Sequence, residues 1–571
     1  MKKIHLNLLL PAFLFFSHIM VAEVDTTANV RGTTNTGGVT IVATHMPTGT
    51  LKRTVSSDSG NYSLSFLPIG GPYKIIASKD GFASESINDV FLILGKPANI
   101  KFTLALDSEI EDVTVTAKAI EGLDMSSGTS LNREDIDLTP SVSNAMQDYV
   151  KFDPRVVVNG GGSRDAEIIV MGRNGRFNDF TIDGISYNDP FGLNDNGFAT
   201  MRNPISMEFV DQISVEITPY DASRGGFTGG SIAVVTKSGS NEFSGSAYYS
   251  KRDQGDVGDF QNGESYPEFE ESFSSFTFSG PIIKDKLFFF LGYEENELTE
   301  QTFWGTSDSN APNKATHLTN AEADRIATIA RGYGIEPGLI NSYSYPETQE
   351  SVTLKLTGII NDKNRAVMTY SHSEDYYVSL YGGRSNRLYF SDYGYKKDPE
   401  IDRLSFTLYS DITDRLSTKI RYSTFDMTED DTAISTLKSG IAVPDIRVNH
   451  NGGRVYLGGD RYRGINYIET EREVFSFKAT YDLGQHVITA GYETKVDDTR
   501  NDFGSRWNGE MTFDSIDDFE AGTWSYLRTK LCPGGVNDIS CVSNTMQVDH
   551  TSFYIQDTIY VSDILTVVLG L

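Results

Sequence analysis

From about residue 270 onward, apolar and polar side chains alternate in short stretches that come in pairs. Phe276 and Phe278 alternate with Thr277 and Ser279, the chain turns at Pro281–Lys286, and Leu287, Phe289, Leu291 and Tyr293 resume the alternation. Val352, Leu354 and Leu356 turn at Asn361–Asn364 and return through Val367, while Leu404, Phe406 and Leu408 turn at Asp411–Asp414 and return through Leu416, Thr418, Ile420 and Tyr422. Phe475, Phe477 and Ala479 turn near Gly484 and return through His486, Ile488, Ala490 and Tyr492. Phe553 and Ile555 turn near Ser562–Asp563 and return through Leu565, Val567 and Leu569. A period of two places successive side chains on opposite faces of a strand, so each pair predicts an antiparallel hairpin with a tight turn. The connections between hairpins, residues 295–350, 373–401, 425–472 and 494–549, are long, polar and acidic.

Short turns on one side and long loops on the other are the rhythm of an outer-membrane β-barrel. A soluble sandwich also alternates but does not explain that rhythm. Strands near ten residues suit a tilted crossing of the hydrocarbon layer, with one apolar face to lipid and one polar face to the lumen. With 241–250 as the first, about 11 strands precede Leu571, whereas plugged barrels of this class close with about 22. The segment 241–571 is therefore expected to be the N-terminal part of a barrel, an open, curled sheet with an exposed edge near Leu565–Leu571.

The pattern differs upstream. Lys2 and Lys3, an apolar run from Leu6 to Phe16 and the small residues Val21 and Ala22 form a secretory signal peptide over 1–22. Residues 27–106 hold short β-type runs at 39–43, 54–57, 62–66 and 73–77, separated by turn residues, which predicts a small sandwich. Residues 107–240 mix short apolar strands with glycine-rich turns and a helix-like stretch, an α/β pattern. The fold class is thus mainly β: signal peptide, small β-sandwich, α/β plug domain and partial transmembrane antiparallel β-barrel. Composition narrows this further. A net charge of 49 − 78 = −29 argues against nucleic-acid partners, and 29 Tyr, 33 Phe and 52 Gly with only two Cys fit extensive β-structure in an oxidising compartment.

Two families are resembled. The runs Asp58–Ser63, Leu67–Tyr73 and Asp80–Phe82 resemble the carboxypeptidase regulatory-like domain, with its usual opening strand and turn abbreviated. That module is non-catalytic in its relatives, which implies an accessory domain. The segments Ile168–Arg173, Asn178–Gly184, Val210–Ile217, Arg224–Ser231 and Val234–Gly239 resemble the plug domain of TonB-dependent receptors. More narrowly, Thr181–Gly184, Gly225–Gly230 and Thr236–Gly239 resemble the Oar-like subgroup. The resemblance implies that the alternating run Asp112, Val113, Thr114, Val115, Thr116, Ala117 is the TonB box, gripped by strand addition; an ordinary linker or plug strand is the alternative. Tyr187, Asn188, Asp189 and Asn194, Asp195, Asn196 are polar tips for which plain turn chemistry is the favoured reading; the resemblance implies that such tips face the extracellular funnel and touch ligand, and their oxygens suit Ca²⁺ as a further alternative.

No catalytic or metal constellation is expected. The His residues are scattered, no Gly-x-Ser-x-Gly elbow occurs, and Gly160–Gly162 lacks the end of a phosphate loop. No cofactor is expected either. Cys532 and Cys541, nine positions apart around Pro533–Gly535 in a loop placed outside the cell, are expected to form a disulfide. The reading is a TonB-dependent outer-membrane transporter moving a bulky ligand (siderophore, oligosaccharide or peptide), with TonB, outer-membrane lipid and an unknown extracellular ligand as partners and no nucleic acid. The alternative is a surface adhesion or signalling protein on the same scaffold. A passive porin conflicts with the plug.

Overall fold

The computed structural model describes residues 25–106, 120–121, 128–160, 166–192, 194–217, 221–259, 265–535, 537–562 and 565–571. The first unit is two facing sheets. One orders Asn61–Leu67, Ala28–Thr34, Ala98–Phe102 and Ile120–Glu121; the other orders Thr50–Val55, Thr40–His45, Gly70–Ser78 and Glu85–Leu92. Alternate residues Val30, Ile41, Ala43, Tyr62, Leu64, Ile75 and Phe102 fill the space between them. The opening strand that the sequence leaves illegible is Ala28–Thr34, and it is central to its sheet, with Asn61–Leu67 antiparallel on one side and Ala98–Phe102 parallel on the other. Its Asn, Arg, Gly and Thr residues carry little β signal. Gly32 is required there, since a Cβ would lie 1.6 Å from the Ile100 carbonyl oxygen.

His45 lies inside this unit against Tyr73, ring centroids 4.8 Å apart, with Nδ1 2.8 Å from Thr48 Oγ1. Burial, with a smaller contribution from the Arg365 guanidinium, holds its pKa at about 4. The ring stays neutral when folded, whereas the unfolded chain binds a proton near pH 6.5. Stability from this group is therefore complete above pH 6.5 and is lost as pH falls towards 4, on the order of 3 kcal/mol in all. Hydrogen exchange of the Thr40–His45 amides, corrected for intrinsic rate, is expected to lose protection between pH 7 and 5, and His45→Gln to flatten that dependence. Equal slopes in both proteins would contradict this.

The second unit is a five-stranded sheet ordered Ile185–Ser186, Asp179–Ile182, Ser231–Thr236, Val210–Glu216 and Gly128–Leu131. Ser231–Thr236 is buried at every position, as befits a central strand covered on both faces. The helix Arg133–Leu138 starts at Asn132, whose side chain and that of Asp135 each accept the other's backbone N–H. A second helix, Met146–Val150, and the hairpin Val156–Asn159/Glu167–Val170 complete the unit.

Eleven strands then follow one another as antiparallel neighbours, from Ser244–Asp253 to Leu565–Gly570, in a sheet with one side branch of two short strands. Among the described residues no ladder joins its first strand to its last. The strand Glu400–Asp411 shows the alternation: Leu404 and Phe406 are 40% and 48% exposed on the outer face, while Arg403, Ser405 and Thr407 are buried against the plug. Apolar side chains outward and polar ones inward is the arrangement that lipid dictates.

Between the first strand and the last, the strands are longer than the expected ten residues, from 12 in Glu400–Asp411 to 20 in Ser543–Ser562. On the long-loop side the outward positions switch from Tyr and Leu to acids, and the ladders continue: Glu295 pairs with Glu350, Glu350 with Glu374 and Glu374 with Glu400. Backbone pairing persists where apolar alternation ends, which is why the hairpin stems above the lipid band read as loop.

Those long connections are also not irregular. Arg387–Tyr389, Gly453–Gly458, Asp445–His450, Glu510–Phe513 and Tyr526–Arg528, drawn from three connections, form one five-stranded sheet. The helix Asn320–Gly332 from a fourth packs on it through Ala323, Ile326, Ala327 and Ala330, in one apolar core with Val448, Val455 and Phe519. Ile326 is wholly buried. Ile326→Asp would bury an unpaired carboxylate, so proteinase K applied to intact cells is expected to cut this cap while the barrel stays whole. A cap as resistant as the wild type would refute the shared core.

Candidate functional site

The site is the lumen that the second unit fills. The strand Asp179–Ile182 pairs back on Ile185–Ser186 across Asp183 and Gly184, both with positive φ (50° and 78°). Asp-Gly is the pair that a two-residue hairpin turn of this kind favours. The turn aims the Asp183 carboxylate at Thr236, whose N–H donates at 3.0 Å and whose hydroxyl donates at 2.6 Å. Lys355 on the wall reaches in, its Nζ 3.2 Å from Asp183 Oδ1 and 3.0 Å from the Thr236 carbonyl oxygen. All three residues are buried. The two motifs singled out in the sequence thus meet each other and the barrel at one point. Arg421 donates to the Gly184 carbonyl at 2.8 Å, and any Cβ on Gly184 would fall 2.2 Å from that guanidinium.

Further wall strands hold the unit. The Arg403 guanidinium stands 3.4 Å over the Tyr187 ring. Arg202 lies between Glu347, 3.2 Å away, and Glu271, 3.5 Å away, and Asp375 accepts from the Met201 N–H at 2.9 Å. Buried charges persist only when paired, so these contacts fix the unit's position. Lys355, Arg403 and Arg421 were not singled out in the sequence. Their signal was there, as charged residues at inward positions of strands that otherwise carry Ser and Thr on that face.

The sequence-derived tip residues divide. Tyr187, Asn194 and Asn196 are buried: Tyr187 lies under Arg403 of the wall, and the two Asn amides serve the backbone. Asn194 Nδ2 donates to the Phe198 carbonyl, Asn196 Nδ2 to those of Thr200 and Met201, and Asn188 links Asn178 to Phe180. Asp189 accepts from the Phe191 and Asn194 N–H groups. Asn196 Oδ1 accepts from the Phe198 N–H and Asn194 Oδ1 from the Lys397 ammonium at 3.3 Å, so these side chains are engaged in holding the turns. Asp195, 86% exposed and paired with Arg176, is the tip side chain that faces outward. Asp112, Val113, Thr114, Val115, Thr116 and Ala117 lie outside the described residues. Cys532 and Cys541 are joined by a disulfide in the loop after the cap sheet.

Residues 26–105 match the carboxypeptidase regulatory-like domain, 124–232 the TonB-dependent receptor plug domain and 235–333 an outer membrane β-barrel domain. Over 273 residues the chain is 28% identical to the TonB-dependent transporter Oar of Myxococcus xanthus, across 42% of this chain and 24% of that protein. The outer membrane transporter YddB from Escherichia coli superposes with a TM-score of 0.53 at 12% identity. The siderophore receptor PirA from Acinetobacter baumannii does so with 0.50 at 17%. Each superposition covers 78% of this chain and 55% of the other. At these identities the likeness to solved structures is one of fold, and the chain spans about half the length of either.

Proposed function

From a chain that belongs, by its three matched domains, with the TonB-dependent receptors of the outer membrane, we propose energised transport of a bulky ligand through the plugged barrel, driven by the periplasm-spanning partner TonB. The observation that carries this is the buried Asp183–Thr236–Lys355 junction, backed by Arg202, Arg403 and Arg421. A lumen held shut by paired charges on several wall strands does not conduct passively, so passage requires work. No ATP and no ion gradient act across the outer membrane, which leaves a mechanical pull on a periplasmic segment, and we assign that role to Asp112–Ala117. Chemistry on the cargo is not part of this reading.

The cap is the natural place for ligand selection: it is a folded body with its own core, standing above the plug on the long-loop side. Siderophore, oligosaccharide and peptide remain the cargo classes. The test uses whole cells producing the full-length protein and offered radiolabelled ferric siderophores, oligosaccharides and peptides, with and without a protonophore. Transport predicts surface binding in both conditions and accumulation of one class only in energised cells. Binding without energised accumulation of any class would favour a surface adhesion or signalling role on the same scaffold.

A further inference from the structure

The geometry points to the N-terminal β-sandwich as a second, inner gate of the pore, closing the periplasmic mouth beneath the plug. Its role in transport rests on the reading above; its role as a seal does not.

The sandwich is docked against the short-turn side of the barrel. Lys52 pairs with Asp411 and donates to Ser417 Oγ at 3.0 Å, and Thr54 Oγ1 donates to the Asp414 carbonyl at 2.9 Å. The Ser63 N–H donates to Asp482 Oδ2 at 2.8 Å, the Pro47 carbonyl accepts from the Asn241 N–H at 2.9 Å, and Arg31 lies 5.0 Å from the Tyr560 ring centre. Contacts therefore reach the ends of strands from one side of the sheet to the other.

Part of the unit enters the lumen. Asp25 sits 3.2 Å from Lys478 and 3.8 Å from Lys419, both on the inner wall. Arg365 donates to the Phe66 carbonyl at 3.3 Å and lies 4.0 Å from the Tyr409 ring centre, and that ring also faces Phe66. Above the sandwich is the plug. Gln212 donates to the Leu92 carbonyl and accepts from the Leu94 N–H, and Ala233 and Val235 belong to the sandwich's own apolar core.

A cavity of about 780 Å³ lies where the three bodies meet, lined by Pro68 and Gly70 of the sandwich, Lys237 of the plug, and Thr369 and Thr407 of the wall. Without the sandwich this chamber has no floor. The two attachments differ in kind: apolar burial and reciprocal amide bonds to the plug, but hydrogen bonds, ion pairs and a few ring contacts to the barrel. Lys52 and Asp411 are largely buried in the docked state, 11% and 17% of each side chain exposed, so the latch holds while both partners are present and fails when one of them is removed.

The test places a reporter cysteine in the chamber, Thr369→Cys, in the full-length protein in detergent, and follows its modification by the anionic reagent 2-sulfonatoethyl methanethiosulfonate. Asp362→Cys, on an exposed periplasmic turn, sets the rate for open access. With the native latch the reporter is expected to react at least tenfold more slowly than Asp362→Cys. Oxidative locking by Thr54→Cys with Asp414→Cys should keep it slow, Lys52→Asp should speed it severalfold, and adding Asp411→Lys should restore protection. A chamber that reacts as fast as the exposed turn with the sandwich locked, or a Lys52→Asp variant as protected as the locked form, would overturn the gate. Neither readout needs cargo or an energy supply, so the gate fails or stands separately from the transport reading.

Discussion

Replacing Val115 with proline is expected to leave ligand binding at the cell surface within twofold of wild type and to bring energised uptake close to zero. The segment Asp112–Ala117 alternates Val113, Val115 and Ala117 with Thr114 and Thr116, which suits pairing with an added strand. Strand addition derives its affinity from backbone hydrogen bonds. Proline removes one donor and fixes φ near −65°, so it breaks a ladder in the middle of a strand. The cap stands above the plug on the long-loop side, whereas the partner of this segment acts from the periplasm in the reading above, so recognition should not sense the change. The measurement pairs equilibrium binding of labelled ligand to de-energised cells with accumulation in energised ones. Uptake at the wild-type rate would remove this segment as the coupling site, whereas loss of both would place the fault in folding or export.

Much of the barrel was legible because lipid imposes a one-residue alternation that nothing else in the chain mimics. Phe276/Phe278 and Leu404/Phe406 stand outward on two separate hairpins of the sheet as that alternation requires. What was not legible follows from the same physics. Above the lipid band the outer face meets water and anionic headgroups, so Glu295, Glu350 and Glu374 continue the strands without an apolar signal. The cap was hidden for a different reason. Its sheet is assembled from segments of three connections, and no short window holds more than one or two of its strands. Its helix was readable, with Thr319 and Glu322 as a capping box and Ala323, Ile326, Ala327 and Ala330 on one face.

At the site, the resemblance singled out the segments that hold Asp183, Gly184 and Thr236 but was silent on their partners. Lys355 is 172 residues from Asp183 in the chain, and only the closing of the sheet around the plug brings them together. The tip residues were ambiguous in the sequence because Asn and Asp serve both backbone turns and ligand contacts. In Asn194 and Asn196 the backbone takes the side chain.

Asp183→Ala is expected to loosen the plug. Lys355 has 7% of its side chain exposed, and Asp183 Oδ1 lies 3.2 Å from its Nζ. Deleting the carboxylate leaves the ammonium with the Thr236 carbonyl and hydroxyl oxygens and no opposite charge at that distance. It also strips Thr236 of the acceptor for both its N–H and its hydroxyl. Breaking a buried pair from one side typically costs about 3–5 kcal/mol, whereas replacing both partners by apolar groups is often near neutral. The plug strand Ser231–Thr236, buried along its length, should therefore lose amide protection by two to three orders of magnitude in the full-length membrane-embedded protein, with conductance steps appearing in planar bilayers. The double variant Asp183→Ala/Lys355→Met removes the stranded charge and should regain most of the protection and close the pore again. A double variant as loose as the single one would mean that the plug is held by the Thr236 hydrogen bonds rather than by the charge pair.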